Sequence, residues 1–147
     1  MLRVESQNGS ITVNLSSERR LVGRVLLECS RFLERHGLPE QTSLEIVLRE
    51  LLLNAIEHGN ENAPERRVMC HLERLEDGYR LVLEDEGRGF DPSALDVRLP
   101  DGPFTARRGY MLVNALSDSF ELNERGNRVT AYFKLNREET GKYEREY

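Results

Sequence analysis

The spacing of apolar residues changes part-way along this chain, and that change limits the folds open to it. Apolar side chains first recur at helical spacing in two runs, residues 21–33 and 44–56. They then alternate with polar residues over 68–72 and 79–83, on either side of a turn at 76–78. A period near 3.6 is that of a helix and a period of two is that of a strand. The sequence therefore predicts two helices followed by an antiparallel hairpin with one buried face.

Weaker patterns complete the order of elements. Residues 3–15 predict one or two short strands around Asn8-Gly9, and residues 86–108 predict a long glycine-containing loop. A short helix over roughly 109–117 and a last hairpin within 120–133 follow. Paired strands and grouped helices favour an α+β fold, a two-layer α/β sandwich with helices on one face of a mainly antiparallel mixed sheet.

Composition and charge narrow the function classes. A chain of 147 residues is expected to form one domain, residues 1–135, with a charged C-terminal tail over 136–147. The net charge of -5 and the lack of a basic cluster argue against direct nucleic-acid binding. No apolar run approaches the roughly 20 residues of a membrane span, and no signal peptide is evident, so we expect a cytoplasmic protein with no membrane contact. Cys29 and Cys70 are expected to be buried, reduced thiols.

A narrow polar strip interrupts the second helix. Nine of the thirteen residues from Leu44 to Ile56 are apolar, yet Glu50 and Asn54 lie among them, one helical turn apart. Glu57 and His58 fall on the same side of the helix. A solvent-facing edge is one interpretation. The other is a functional site, because short carboxylate, carboxamide and imidazole groups bind hard cations and move protons.

Two further segments carry groups suited to a ligand. The stretch DEGRGFD, Asp85 to Asp91, follows a predicted strand and combines a carboxylate with Gly87 and Gly89. It predicts either a plain turn or an exposed acceptor beside backbone that a flat ligand can approach. Arg107-Arg108-Gly109 precedes the short helix and predicts either a solvated basic pair or an anion site at a helix N-terminus.

These three segments, in this order, resemble the boxes of the GHKL superfamily of ATPases and kinases, which includes histidine kinases, DNA gyrase, Hsp90 and MutL. The predicted fold is similar to the Bergerat, or histidine kinase-like ATPase, fold of that superfamily. The box E-x3-N-A-x2-H at 50–58 and the segment Leu112–Asp118 resemble the bacterial anti-sigma-factor serine kinases of partner-switching systems. The resemblance covers roughly residues 15–135.

The resemblance implies a site for ATP and Mg²⁺. Asn54 would hold the Mg²⁺, with His58 at the same phosphate end of the site, and Glu50 would act as general base or orient the attacking hydroxyl. Asp85 would accept a hydrogen bond from the adenine N6 amino group. Thr130, on the last hairpin, would support the adenine site beside Asp85.

The glycines have implied roles as well. Gly87 and Gly89 would let the backbone approach the base and begin a mobile lid. Gly109 would donate its backbone N–H to phosphate at a helix N-terminus. The third box departs from the family pattern because Arg107 occupies the place of its first glycine. Arg107 and Arg108 are therefore either phosphate contacts or a solvated pair.

The resemblance also implies partners. The protein would be an ATP-dependent serine/threonine-protein kinase and anti-sigma factor that phosphorylates a STAS-domain anti-anti-sigma protein and sequesters a sigma factor, as a homodimer. The altered third box leaves open a binding module that works by partner exchange without phosphotransfer. A detached histidine-kinase catalytic domain is a third possibility.

Overall fold

The computed structural model describes residues 1–38, 41–89 and 105–135, and within the last range it describes the side chains from residue 109 onward. Six strands form one sheet. They are β1 (Leu2–Gln7), β2 (Ser10–Ser16), β3 (Arg67–Leu75), β4 (Gly78–Asp85), β5 (Ser119–Leu122) and β6 (Arg128–Lys134). Their order across the sheet is β1-β2-β3-β4-β6-β5.

Every neighbouring pair of strands in this sheet is antiparallel. Three tight hairpins, β1–β2, β3–β4 and β5–β6, account for most of the topology. The predicted mainly antiparallel sheet is confirmed, and the described residues add no parallel pair to it. The hairpin at Asn8-Gly9 forms as predicted, with Gly9 at a φ of +83° that glycine adopts without strain.

Three α-helices and two short helices of other types make up the second layer. They are a 3₁₀ helix (Arg19–Leu21), α1 (Val22–Arg35), α2 (Thr42–Leu53), a π-helix (Asn54–Gly59) and α3 (Thr105–Leu116). The sequence predicted α2 and the π-helix as one continuous helix ending at Gly59. It also predicted that α3 begins near residue 109, four residues later than its observed start. None of the helices in the described ranges has the length and apolar character that a membrane span requires.

The core lies between the helices and one face of the sheet. Alternate residues of the four central strands point into it and are buried: Ile11, Val13, Leu15, Val68, Cys70, Leu72, Tyr79, Leu81, Leu83, Val129, Ala131 and Phe133. The helices meet them with buried residues at helical spacing, such as Val25 and Phe32 of α1 and Leu48 and Leu51 of α2. The predicted two-layer α+β sandwich is therefore confirmed.

The two cysteines face each other across these layers. Cys29 of α1 and Cys70 of β3 are each 1% exposed, and neither is in a disulfide. A hydrogen bond with Cys29, together with burial, raises the pKa of the Cys70 thiol well above its usual value. The predicted burial of both thiols is confirmed.

Candidate functional site

The end of α2 brings Glu50 and Asn54 to the junction between the helices and the sheet. Glu50 lies half-buried in the last turn of α2, and the backbone N–H of Asn54 donates to the carbonyls of Glu50 and Leu51. The Asn54 side chain is only 9% exposed. The π-helix that begins at Asn54 contacts both β4 and α3, and the Asn54 carboxamide lies against Gly109 of α3.

The π-helix distributes the predicted polar strip over different environments. Single π-helical turns inside α-helices occur often at functional sites. Here the turn leaves Asn54 buried, Glu57 half-buried and His58 exposed. The Glu57 carboxylate is paired with Arg19 of the 3₁₀ helix at 3.0 Å. The predicted strip therefore includes one buried residue, Asn54, and one exposed residue, His58.

The other end of the π-helix packs directly on the end of β4. A Cβ added to Gly59 would overlap the Asp85 carboxyl group, and one added to Gly87 would overlap the Gly59 carbonyl. Side chains at either position would force the helix away from the sheet. Both glycines are therefore required by contacts within the protein, and these contacts place Asp85 beside the segment that begins at Asn54.

The Asp85 carboxylate is half-buried on the helix side of the sheet. Burial raises its pKa above the ordinary value for an aspartate, because water no longer solvates the charged form fully. The backbone N–H of Gly87 donates to Asp85 Oδ1 at 2.8 Å, and this hydrogen bond lowers the pKa of Asp85 because it stabilises the charged form. This carboxylate is an acceptor in a partly dry site, which is the environment that makes recognition of an N–H donor specific.

The β5–β6 turn holds the backbone of the Asp85 segment from the other side. Asn127 Nδ2 donates to the Asp85 carbonyl at 3.0 Å, and the Asp85 N–H donates to the Asn127 carbonyl at 3.0 Å. Arg125 donates from Nη2 to the Gly87 carbonyl at 3.0 Å. Gly89, with a φ of +78°, packs so closely on the Arg125 carbonyl that a Cβ would overlap it. The lid expected after Gly89 lies outside the described residues.

The prediction that Gly109 opens α3 is wrong. Because α3 begins at Thr105, Gly109 is its fifth residue, and its N–H is used within the helix instead of being free at the N-terminus. Its importance lies in its missing side chain, since a Cβ there would come within 2.6 Å of Asn54 Nδ2. The side chains of Arg107 and Arg108 lie outside the described part of α3.

The position predicted for Thr130 is also wrong. Thr130 pairs with Val82 across β4 and β6 and lies on the outer face of the sheet, whereas Asp85 points to the helix side. Side chains alternate along a strand, and the buried neighbours Val129 and Ala131 occupy the inner face.

Two hollows open on the outer face of the sheet. One, of about 450 Å³, is lined by Thr130 together with Thr12 and His71, among other residues. A second, of about 470 Å³, lies at the sheet end near Glu84 and Arg125. The first hollow is lined by Thr130 and the second by Asp85, so each contains one predicted site residue, but neither extends to Glu50 and Asn54.

Several residues of the site were not predicted from the sequence. Asn60 is fully buried, and Asn127 supports the Asp85 backbone. Tyr110 of α3 is 7% exposed and stacks on Phe120 with ring centroids 6.2 Å apart. Burial, and secondarily the negative charge of Asp85, raise the pKa of Tyr110. Of these residues, only Asn60 could have been found from the sequence. It follows Gly59, and a short polar residue after a helix end often caps neighbouring backbone.

Comparison with known proteins identifies the family. The profile described as "Histidine kinase-like ATPase domain" matches residues 15–133. The chain belongs to the histidine kinase-like ATPase domain family. The matched range contains all nine predicted site residues of this ATPase domain, and the predicted membership of the GHKL superfamily is confirmed. No curated protein sequence matches the chain.

A solved structure shares the fold of this histidine kinase-like ATPase domain. It is the histidine kinase domain of the blue-light activated histidine kinase from Erythrobacter litoralis EL346, with a TM-score of 0.55 and 19% sequence identity. The match covers 83% of this chain and 63% of that one, so this chain spans less than two thirds of its length. At this identity the likeness concerns the fold.

The donor set of this ATPase domain fits a magnesium nucleotide. Asn54 and Glu50 supply hard oxygen atoms one helical turn apart, and Asp85 supplies an acceptor in a partly dry site. Asn54 and Gly59, which contacts Asp85, are at most about 7.5 Å apart along the helix axis. Among the residues described, no three His, Cys, Asp or Glu side chains come together as metal ligands. A cation at Asn54 would therefore depend on oxygen atoms of the nucleotide.

We expect Gly109→Ala to destabilise the domain, although alanine is normally favoured inside a helix. The added methyl group would displace Asn54, which we expect to lower the free energy of unfolding by about 1–2 kcal/mol. The matched control is Gly23→Ala in α1, where nothing lies within 4 Å of the added Cβ. That change should raise the free energy of unfolding by about 0.5–1 kcal/mol. Urea denaturation measures both, and equal stabilisation by both changes would contradict the packing of Gly109 on Asn54.

We expect Asp85→Asn to stabilise the nucleotide-free domain at pH 7. The folded-state pKa of Asp85 is raised above the unfolded value, so ionisation of this carboxyl destabilises the folded state as the pH rises through the raised pKa. The neutral amide avoids that cost and still accepts from Gly87. The advantage should shrink as the pH falls toward the ordinary aspartate pKa, because the wild-type carboxyl becomes increasingly protonated in both states.

Urea denaturation from pH 3.5 to pH 7 measures this difference. Asp77→Asn, in the exposed β3–β4 turn, is the control and should change the free energy of unfolding by less than about 0.5 kcal/mol throughout. An Asp85→Asn variant that is less stable than wild type at pH 7 would show that the carboxylate is compensated in the folded state.

Proposed function

We propose that this domain is an ATP-dependent serine/threonine-protein kinase that acts as an anti-sigma factor. It phosphorylates a STAS-domain anti-anti-sigma protein and sequesters a sigma factor. The observation that carries the proposal is one helical stretch that carries Glu50 and Asn54 one turn apart and packs on Asp85 through Gly59. Asn54 in turn packs on Gly109 of α3. The setting we propose is the cytoplasm, and the working form is a homodimer.

Asn54 and Asp85 hold the two ends of the nucleotide in this proposal. The Asn54 carboxamide oxygen binds Mg²⁺ at the phosphate end. The Asp85 carboxylate accepts from the adenine N6 amino group, which selects adenine over guanine because guanine carries a carbonyl oxygen there. Bound Mg-ATP supplies the phosphoryl group. The burial of both side chains supports these roles, since hydrogen bonds and cation contacts strengthen where water is excluded.

Glu50 acts on the hydroxyl of the protein substrate. Its carboxylate takes the proton from the serine or threonine hydroxyl, or orients that hydroxyl. The hydroxyl oxygen forms the new bond to the γ-phosphorus as the bond from that phosphorus to ADP breaks. Phosphoryl transfer depends mainly on positioning and charge neutralisation. A half-buried carboxylate one turn before the metal-binding carboxamide is suitably placed for this role.

A partner-exchange module without phosphotransfer is the second candidate. The position of Gly109 inside α3 favours it, because that N–H is not free to bind phosphate. Arg107 in place of a glycine in the third box points the same way. In this alternative the domain binds nucleotide weakly and sequesters its partner without modifying the antagonist.

We expect Glu50→Gln to abolish phosphotransfer while nucleotide binding persists. Loss of a general base lowers kcat by about 10²–10⁴-fold. The assay is transfer of labelled γ-phosphate, with Mg²⁺, to STAS-domain proteins of the same organism, followed by a test of acid stability. The control is Glu57→Gln on the same helical strip, whose carboxylate is paired with Arg19, and kcat should remain within about twofold of wild type.

The outcomes separate the candidates. Acid-stable phosphate that is lost in Glu50→Gln supports the serine/threonine kinase. Nucleotide binding by the wild type with no transfer to any STAS-domain protein would contradict the kinase and favour partner exchange. Label that is stable to alkali and labile to acid would indicate transfer to histidine, the activity of a detached histidine-kinase catalytic domain.

A further inference from the structure

Asn60 is a fully buried polar residue that the proposed mechanism does not use. It follows the π-helix, and its relative exposure is 0%. Its Nδ2 donates to Ser17 Oγ at 2.8 Å and to the Arg67 carbonyl at 2.9 Å. Its Oδ1 accepts the backbone N–H of Glu86 at 2.8 Å. One carboxamide thus makes three hydrogen bonds to three separate segments of the chain.

Those segments meet at one end of the sheet. Ser17 follows β2, Arg67 begins β3, and Glu86 follows β4. Glu86 also accepts the Arg67 N–H through its carboxylate, which closes the cluster. Asn60 therefore connects the end of the π-helix to the residue immediately after Asp85.

We propose that Asn60 is a positioning residue that sets the adenine preference of the site; this inference rests on the proposed ATP-binding function. Its Oδ1 fixes the backbone of Glu86. Because Asp85 and Gly87 flank Glu86, this anchor acts together with the Asn127 bonds to set where the Asp85 carboxylate lies relative to Gly59. The carboxylate can then meet an exocyclic amine at a defined point.

Asparagine is the residue type that this position requires. Two donors and one acceptor are used, and a carboxamide of this length supplies both kinds of group. An aspartate would lose both donors and would place a charge in a fully buried position. The hydrogen bond from the Glu86 N–H is part-buried, and leaving that N–H without an acceptor would be costly. The Asp85–Gly87 turn should therefore move toward water when Asn60 is truncated.

Ser17 provides a control for a role in stability alone. Its hydroxyl lies on the far side of the carboxamide and donates to the Arg66 carbonyl at 2.7 Å. Within the described residues, the hydrogen bonds of Ser17 do not involve Asp85, Glu86 or Gly87. Ser17→Ala therefore disturbs the same cluster and leaves the bond between Asn60 and Glu86 in place.

The test is calorimetric titration of ATP, GTP and AMP into wild type, Asn60→Ala and Ser17→Ala, with Mg²⁺, at a temperature where each is folded. We expect Asn60→Ala to weaken ATP binding about tenfold and to lower the ATP-to-GTP affinity ratio about fivefold. The ATP-to-AMP affinity ratio should stay within about twofold of wild type, because the phosphate end keeps Asn54. Ser17→Ala should lower the melting temperature and leave the ATP-to-GTP ratio within about twofold.

If Asn60→Ala does not fold, Asn60→Ser is the replacement variant. The serine side chain leaves room for water and is too short to reach the Glu86 N–H. An unchanged ATP-to-GTP ratio in a folded Asn60 variant overturns the inference, and so does an equal fall in Ser17→Ala. A wild-type domain that binds no adenine nucleotide overturns the proposed function and this inference with it. Wild-type ATP binding with an unaffected Asn60 variant overturns the inference alone.

Discussion

The close approach of Gly59 to Asp85 is the contact on which the rest of the site depends. With a side chain at either Gly59 or Gly87, the end of the π-helix and the end of β4 could not touch. Their contact brings a half-buried carboxylate to one end of a six-residue segment whose other end is the buried Asn54. The π-helix and the end of β4 can therefore recognise the two ends of an extended ligand, one at Asn54 and the other at Asp85.

Hydrogen bonds to neutral carboxamides hold this contact from both sides. Asn60 accepts from the N–H after Asp85, and Asn127 exchanges backbone and side-chain bonds with Asp85 itself. Asn123 in turn accepts three backbone N–H groups of the β5–β6 turn through one oxygen. Asn60 and Asn127 are uncharged, whereas Arg125, which donates to the Gly87 carbonyl, is charged and lowers the pKa of Asp85. Burial has the larger effect and raises that pKa.

The sequence predicted the sheet and the helices because binary alternation and helical spacing depend on local burial. The same alternation already places Thr130 on the outer face, since its neighbours Val129 and Ala131 are apolar. The role implied by the family resemblance instead led to the prediction that Thr130 lies beside Asp85. Tertiary contacts decided the remainder. The resemblance implied that Gly109 lies at the start of α3, whereas it lies in the helix interior, where its contact with Asn54 leaves no room for a side chain. The side-chain bonds of Asn60 join residues up to 43 positions apart, which local patterning cannot foresee.

The most direct test is a crystal structure of the domain with Mg²⁺ and a non-hydrolysable ATP analogue. The account predicts the adenine N6 amino group within hydrogen-bond distance of the Asp85 carboxylate, at about 2.7–3.2 Å, and the Asn54 carboxamide oxygen bound to Mg²⁺ at about 2.0–2.1 Å. Gly59 and Gly87 should remain in contact. A nucleotide bound instead in the outer-face hollow beside Thr130 and His71, or a base that does not contact Asp85, would contradict it.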